Sequence, residues 1–273
     1  MTGGRSSVPK PAAVVGASGK TGTHVAQALA SCGVPVRPLG RRALADPVAA
    51  FDGCASAYLI APNLHPDEPA LVGGWLEALR AAGVPRVAYH SVAWPYAPEM
   101  PHHLAKAATE DLVRRSGLAW TVLQPCAYVQ NLLPGLGGEE PAVRVPYAVD
   151  TPFGLVDLAD LGEAAAVVLT EDGHVGATYE LGGPALVTLA DVAVVASEVL
   201  GVPVPAERLD PGRWATGPGA GMDSRERDWL LAMFAFYDAY GLPTGGVPLR
   251  ALLGRAPYDV RATLTRELTP APS

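Results

Sequence analysis

The stretch that decides the fold lies near the start of the chain, where residues 12–22 read Ala-Ala-Val-Val-Gly-Ala-Ser-Gly-Lys-Thr-Gly. The four apolar residues are typical of a fully buried parallel strand, and residues 23–31 carry helix formers. Glycines between such a strand and a helix let the backbone approach a pyrophosphate closely, and the helix N-terminus favours the anion. The turn therefore predicts a dinucleotide site made by six residues: Gly16, Ser18, Gly19, Lys20, Thr21 and Gly22.

Two other interpretations of this turn stay open. The spacing G-x-x-G-x-x-G also occurs in tight turns that bind no ligand. The run Gly19-Lys20-Thr21 mimics the end of a nucleotide-triphosphate P-loop, but that motif needs a glycine at position 14, where the chain has Val14.

Strands and helices alternate down to about residue 130. Further strands are predicted at 34–39, 57–61, 86–92 and 119–123, with helices at 70–82 and 104–115. This rhythm predicts an α/β fold, a doubly wound and mostly parallel Rossmann sheet, and a dinucleotide-binding domain over residues 11–150. The prolines of the second strand suit a sheet edge.

The second half of the chain is less regular. Its expected elements are helices at 157–170, 188–200 and 228–240 and a strand at 178–181, with loop-like residues at 134–146 and a flexible stretch at 215–221. We predict a smaller α+β substrate region over residues 151–273, partly packed back on the Rossmann domain.

One strand–helix unit is missing after the second strand. Residues 43–55 alone separate that strand from the next one, whereas a strand–helix–strand unit takes about 30 residues and a parallel crossover a dozen or more. There is room for a single crossover, so we expect one strand–helix unit to be absent from the doubly wound sheet.

The end of the second strand indicates which dinucleotide is bound. An acidic residue there would bind a ribose 2′-hydroxyl, whereas an arginine suits a 2′-phosphate. The chain has Arg41 and Arg42 and no carboxylate before Asp46. We therefore predict NADP(H), with Arg41 as the first candidate, although both arginines could be solvated surface residues.

Composition excludes several function classes. The formal net charge is −7 and no basic stripe is present, so we expect no nucleic-acid partner. No apolar run reaches membrane-spanning length, and no apolar signal core opens the chain. The three cysteines share no metal-ligand spacing, which predicts no metal site and fits a reducing compartment. We expect a cytoplasmic protein.

Five segments of the chain, taken in order, resemble the NmrA-like family of atypical short-chain dehydrogenases/reductases. They are residues 14–22 (VVGASGKTG), 103–110 (HLAKAATE), 116–131 (SGLAWTVLQPCAYVQN), 181–192 (opening LGGP) and 252–257 (LLGRAP). The resemblance implies an NADP(H)-binding Rossmann fold with a small C-terminal substrate domain. Some members reduce quinones or carbonyls, and others bind the cofactor as redox sensors or partners of regulators. The chain departs from the family at residues 43–55, and the resemblance therefore implies that one wall of the adenine pocket is incomplete. It also departs at Gln124, where an arginine is usual.

Three residues are the candidates for catalysis. Ordinary short-chain dehydrogenases use Tyr-x-x-x-Lys and a serine on the preceding strand, and alignment on Lys106 places His102 at the tyrosine position and Ser91 at the strand end. Lys106 could hold the nicotinamide ribose or donate a proton, and His102 or His103 could act as an acid, because imidazole titrates near neutrality. The histidines could equally be a solvated helix start, Lys106 a surface lysine, and Ser91 a strand-end cap.

Residues after the third strand are expected to face the nicotinamide end. They are Pro62 and Asn63, which could also form an ordinary turn. An aromatic substrate pocket is predicted from four residues and one helix, although such residues more often form core: Tyr89, Trp94, Tyr96, Tyr128 and the helix at 228–240.

The leading hypothesis is an NADPH-dependent oxidoreductase that transfers hydride to a small, aromatic carbonyl or quinone. A quinone accepts hydride without demanding a tyrosine acid, which suits the missing tyrosine. The alternatives are a non-enzymatic NADP(H)-binding redox sensor and a non-redox cyclase or isomerase on the same scaffold. The expected partner is a small-molecule substrate, with a homodimer or a protein partner as a further possibility.

Overall fold

A parallel sheet forms the centre of the computed structural model, which describes residues 9–269. The strands in this part of the chain are β1 (Ala12–Val15), β2 (Val36–Leu39), β3 (Ser56–Leu59), β4 (Arg86–His90), β5 (Ala119–Pro125), β6 (Val143–Val145), β7 (Ala177–Leu181) and β8 (Ala206–Arg208). Six of them form the main sheet in the order β2-β1-β3-β4-β5-β7, with every neighbouring pair parallel. The predicted Rossmann-type α/β fold is confirmed.

Helices cover both faces of this sheet. They are α1 (Lys20–Ser31), α2 (Pro47–Phe51), α3 (Glu68–Ala81), α4 (Pro101–Arg114), α5 (Leu133–Leu136), α6 (Leu158–Thr170), α7 (Leu189–Leu200), α8 (Pro211–Thr216), α9 (Ser224–Tyr240), α10 (Val247–Leu253) and α11 (Val260–Leu268). Successive residues of β1 pack on opposite faces of the sheet, because side chains alternate along a strand. Val14 packs in the same core as Leu29 of α1, whereas Val15 packs with Leu76 of α3.

The short segment between β2 and β3 forms a single crossover, as its length predicts. β2 is the edge strand, and the chain crosses β1 through a 3₁₀ turn at Ala43–Ala45 and the short helix α2 before it enters β3. Asp46 caps α2 by accepting a hydrogen bond from the backbone of Ala49. The expectation that one strand–helix unit is missing beyond β2 is confirmed.

The second half of the chain contributes to the main sheet. β7 pairs with β5, and α6 lies against α1 so closely that a Cβ on Gly162 would be 2.6 Å from the His24 carbonyl oxygen. The division of the chain at residue 150 into a cofactor-side and a substrate-side region therefore stays a prediction.

Two expectations for this half are corrected. Residues 134–146 are not merely a loop, because they contain β6, which pairs with β8 in a separate two-stranded sheet. Residues 215–221 begin inside a helix, since α8 runs to Thr216 after a cap from Asp210. Three-residue strands are too short to show an alternating pattern, and β6 and β8 are far apart in sequence, so this pairing has no local signature.

Within residues 9–269, no helix is both long enough and apolar enough to span a bilayer. The same residues contain no cluster of three histidine, cysteine or acidic side chains arranged for a metal ion.

Candidate active site

The glycine turn has the geometry of a cradle for an anion. Gly16 has φ = +77°, and a Cβ on Gly22 would lie 2.2 Å from the Gly16 carbonyl oxygen, so neither position accommodates a side chain. α1 begins after Gly19, whose position offers no side-chain cap, and its first turn holds no acidic residue. The first backbone N–H groups of this 12-residue helix are therefore available to an anion at its N-terminus.

A cleft of about 570 Å³ opens above this turn, at the carboxyl ends of the parallel strands. That volume is in the range of small-molecule sites, and the location is the usual one for open α/β sheets. The cleft brings together nearly all of the predicted site residues: Gly16, Ser18, Gly19, Lys20, Thr21, Gly22, Arg41, Pro62, Asn63, Ser91, His102 and Lys106.

Arg42 is the one predicted residue that the structure leaves outside the cleft. It is exposed at the start of the 3₁₀ turn, whereas the neighbouring Arg41 lines the cleft together with Leu39 and Leu44. Arg37 is engaged elsewhere, since its guanidinium donates to the carbonyl oxygens of Ala50 and Asp52. Leu44 comes from the shortened segment, which thus supplies part of the cleft wall.

Lys106 is buried and held in a fixed position on α4. Its ammonium nitrogen lies 2.7 Å from Oε1 of Glu68 and 3.1 Å from the His90 carbonyl oxygen. Tyr89 donates to the same Glu68 oxygen at 2.6 Å. An ammonium group has three donors, and the described residues take two of them. The third is left for a group in the cleft, which Lys106 lines.

The two histidines at the start of α4 are buried rather than solvated. Burial, reinforced by the nearby Lys106 charge, lowers the pKa of His102 to about 3. Burial also lowers the pKa of His103 to about 4, and its ring nitrogen Nδ1 lies 3.2 Å from the Trp94 carbonyl oxygen. The expectation of titration near neutrality is wrong for both rings, because neither is hydrated as an exposed imidazole is.

A second cavity of about 520 Å³ adjoins the cleft. Its lining is largely apolar and aromatic, and the Tyr147 ring packs on Phe234 at 5.8 Å and on Tyr237 at 5.4 Å between ring centroids. The two cavities share five lining residues: Asn63, Val92, His102, Tyr128 and Asn131.

The predicted aromatic pocket is thus right in part. Tyr128 and the helix α9 line the second cavity. Tyr89 is a core residue, Trp94 packs edge-on against Phe236, and Tyr96 is 62% exposed. Whether an aromatic residue faces a cavity or the core depends on how its strand or loop is turned, and composition does not reveal that.

Several residues of the site were not found from the sequence. His90 ends β4 and contacts two tyrosines, and Glu68 opens α3. Asn131 accepts a hydrogen bond of 3.0 Å from the ammonium of Lys20, which joins the glycine turn to the loop after β5. The sequence signal for His90 is its position, because it directly precedes Ser91 at the end of a strand.

Comparisons with known proteins place this geometry among reductases. No protein-family model matches the sequence. The (4-alkanoyl-5-oxo-2,5-dihydrofuran-3-yl)methyl phosphate reductase of Streptomyces griseus is 31% identical over 220 residues, covering 72% of this chain and 76% of that protein. Quinone oxidoreductase 2 of Escherichia coli is 31% identical over 193 residues, covering 70% and 67%. The chain belongs to the NmrA-like family of atypical short-chain dehydrogenases/reductases.

Solved structures agree with the family fold. The E. coli NADPH-dependent quinone oxidoreductase QOR2, complexed with NADPH, superposes with a TM-score of 0.78 at 24% identity, over 93% of this chain and 99% of that one. NmrA, a negative transcriptional regulator, superposes with a TM-score of 0.75 at 18% identity, over 96% of both chains.

The departure from the NmrA-like pattern at Gln124 has a structural counterpart. The buried Glu110 carboxylate accepts from the Ser91 hydroxyl at 2.5 Å and from the Gln124 amide at 2.7 Å on one oxygen. Arg114 donates to its other oxygen at 2.9 Å. The cation beside this carboxylate therefore comes from α4 rather than from β5. Ser91 lines the cleft, but its hydroxyl hydrogen is directed at Glu110.

Proposed function

We propose that this chain is an NADPH-dependent oxidoreductase that transfers a hydride to a small, uncharged aromatic acceptor of the quinone or carbonyl type. The observation that carries the proposal is the pair of adjoining cavities: a dinucleotide cleft on a glycine turn opens into an apolar, aromatic cavity. The reductase relatives, at 31% identity over most of the chain, support the same class of reaction.

The residues present fit the cofactor. The backbone of the glycine turn would hold the pyrophosphate, because uncapped N–H groups and the helix dipole favour an anion there. Arg41 would pair with the 2′-phosphate, and the free donor of Lys106 would bind the nicotinamide ribose. Pro62 and Asn63 would border the nicotinamide. Arg42 stays the second candidate, after Arg41, for contact with the 2′-phosphate. When bound, NADPH supplies the hydride.

The second cavity would position the acceptor. Its ring cluster suits a flat aromatic molecule, since aromatic pairs are stabilised by edge-to-face and offset contacts. Arg144 is the basic residue in its lining, and Glu207 neutralises it at 2.7 Å, which favours an uncharged acceptor. His102 lines both cavities at their junction and stays a predicted catalytic residue; its Nδ1 is buried and has no hydrogen-bond partner among residues 9–269.

The test is NADPH oxidation followed by absorbance with a quinone such as menadione. The wild type should turn over, and Phe234→Leu should raise KM for the quinone about tenfold, the equivalent of about 1.4 kcal/mol for a lost ring contact. Phe236→Leu on the same helix is the matched control, because its ring packs on Trp94 and Tyr240 rather than in the cavity. NADPH affinity should be the same in all three proteins.

A wild type that binds NADPH but oxidises it with no quinone or aldehyde would overturn the proposal and favour the sensor alternative. The small-molecule substrate follows from the proposed reaction. A homodimer or a protein partner stays a prediction, to be read from the molecular mass with and without NADPH.

A further inference from the structure

Three side chains form a hydrogen-bonded line from the core to the junction of the two cavities. The Tyr58 hydroxyl lies 2.9 Å from Nδ1 of His90, and Nε2 of His90 lies 2.9 Å from the Tyr128 hydroxyl. Tyr58 is fully buried and His90 is 7% exposed. Tyr128 lines both the cleft and the second cavity. We call this set the Tyr–His–Tyr line.

The direction of these hydrogen bonds follows from what each group can donate and accept. Burial lowers the pKa of His90 to about 3, so the ring is neutral, with one N–H donor and one acceptor nitrogen. Within residues 9–269 the Tyr58 hydroxyl has His90 as its one hydrogen-bond partner. If His90 donated to Tyr58, the Tyr58 hydrogen would be buried without an acceptor, at a cost of about 1–3 kcal/mol.

The favoured arrangement therefore has Tyr58 donating to Nδ1 and Nε2–H donating to the Tyr128 oxygen. The Tyr128 oxygen is then an acceptor towards His90, and its own hydrogen is directed away from the ring. That hydrogen is free to be donated at the cavity junction, where the acceptor of the proposed reaction would lie.

We propose that Tyr128 is the catalytic proton donor of this protein, held in that role by His90 and Tyr58 as positioning residues. The inference rests on the proposed function, since it needs an acceptor whose oxygen becomes negative when hydride arrives. It also supplies the tyrosine acid of the Tyr-x-x-x-Lys pattern, which this chain lacks at position 102, from the loop after β5 rather than from α4.

The step balances with one hydride and one proton. Hydride transfer converts a quinone to the monoanion of a hydroquinone. The Tyr128 O–H bond breaks as the O–H bond of the product forms, so the tyrosine becomes a phenolate while the product becomes neutral. Nε2–H of His90 stabilises the phenolate by donating to it, and water in the cleft returns the proton after the product leaves.

The other groups at the junction are less suited to the task. The Ser91 hydroxyl is committed to Glu110, and the Lys106 ammonium is paired with Glu68. Burial raises the pKa of Tyr128, which keeps its hydroxyl protonated in the resting protein, while a hydrogen bond from Thr21 opposes that shift.

The experiment compares two acceptors with different proton demands. Menadione must gain a proton at oxygen, whereas the cation of malachite green takes hydride at carbon and needs no proton. Tyr128→Phe should lower kcat for menadione about 100-fold, which is the low end for loss of a general acid. The same variant should reduce the dye at a rate within about threefold of wild type, and its Kd for NADPH should not change.

Two further variants and a second readout sharpen the test. His90→Phe should also lower kcat selectively for menadione, but by a smaller factor than Tyr128→Phe. Tyr179→Phe is the matched control, because its hydroxyl bonds His174 at 2.8 Å in a tyrosine–histidine pair that lines neither cavity, and both rates should be unaffected. With menadione alone, the wild-type kcat should fall in D₂O, and this solvent isotope effect should disappear in Tyr128→Phe.

Three outcomes are distinguishable. Selective loss with menadione, or loss of the solvent isotope effect where the dye is not reduced, supports Tyr128 as the acid. Equal losses with both acceptors, or an unchanged menadione rate, overturn that role while leaving the proposed reductase intact. Absence of NADPH oxidation by the wild type with every acceptor overturns the proposed function itself.

Discussion

Replacement of Lys106 by methionine tests how the cleft is held together. The Lys106–Glu68 ion pair is 2.7 Å long, and its two side chains are 6% and 0% exposed. In Lys106→Met, the Glu68 carboxylate stays buried with Tyr89 as its remaining donor, because its second oxygen has no partner among the described residues. Removing one member of a buried ion pair costs about 3–5 kcal/mol, so the free energy of unfolding should fall by that amount.

The cost should be recovered when both charges are removed together. Replacement of a buried ion pair by apolar residues of similar volume is often neutral or stabilising. The double variant Glu68→Leu/Lys106→Met should therefore be within about 1 kcal/mol of wild type, and the two positions should couple strongly in a double-mutant cycle. Both Lys106 variants should still bind NADPH more weakly, because each lacks the free ammonium donor at the cleft.

The assay is urea unfolding at pH 7 without cofactor, analysed by linear extrapolation. Arg115→Met at the C-terminal cap of α4 is the matched control, since the side chains of its ion pair with Asp111 are 70% and 58% exposed. A surface pair of this kind contributes about 0–1 kcal/mol. A loss below about 1 kcal/mol in Lys106→Met, or a double variant as unstable as the single one, would refute the reasoning.

Two other perturbations follow from the site. Gly22→Ala would place a Cβ 2.2 Å from a backbone oxygen of the turn, so NADPH affinity in a calorimetric titration should fall at least tenfold. Gly74→Ala is the control on α3, where an added Cβ meets no atom within 4 Å, and its NADPH affinity should be unchanged. Equal affinities of the two variants would contradict the packing argument. Burial lowers the pKa of His90 and His102 to about 3 and of His103 to about 4. These pKa values lie below the value of about 6.5 in the unfolded chain, so the unfolded chain binds more protons than the folded protein at pH values between the folded and unfolded pKa. The stabilisation is therefore complete above pH 6.5 and declines as the pH falls towards 4. The loss in the free energy of unfolding is up to about 1.4 kcal/mol per pH unit for each ring. Urea midpoints that stay constant from pH 7 to pH 5 would contradict this.

The inner strands of the main sheet could be predicted because they are short, largely apolar runs. β1 and the glycine turn after it are read from adjacent residues, and the edge position of β2 follows from its prolines. The pairing of β6 with β8 could not be predicted, since each strand has three residues and the two lie far apart along the chain. Local sequence contains no information on such a pairing.

The residues of the site also separate into those that the sequence could predict and those that it could not. The turn and Arg41 could be placed because each directly follows a strand, where the ligands of a parallel sheet bind. Lys106 could be placed through the resemblance to the NmrA-like family and the Tyr-x-x-x-Lys pattern. Glu68 could not be assigned to Lys106, because the two are 38 residues apart and meet only through the packing of α3 on α4. The protonation of His102 was also beyond the sequence, since burial rather than residue type sets its pKa.

Calorimetric titration with NADPH and, separately, NADH tests the central claim most directly. The account predicts micromolar binding of NADPH and much weaker binding of NADH by the wild type. Arg41→Ala should lose about 10- to 100-fold in NADPH affinity, the equivalent of one charge-assisted hydrogen bond, while Arg42→Ala should lose little, because Arg42 lies outside the cleft. Equal affinities for the two nucleotides, or binding of neither, would contradict the account.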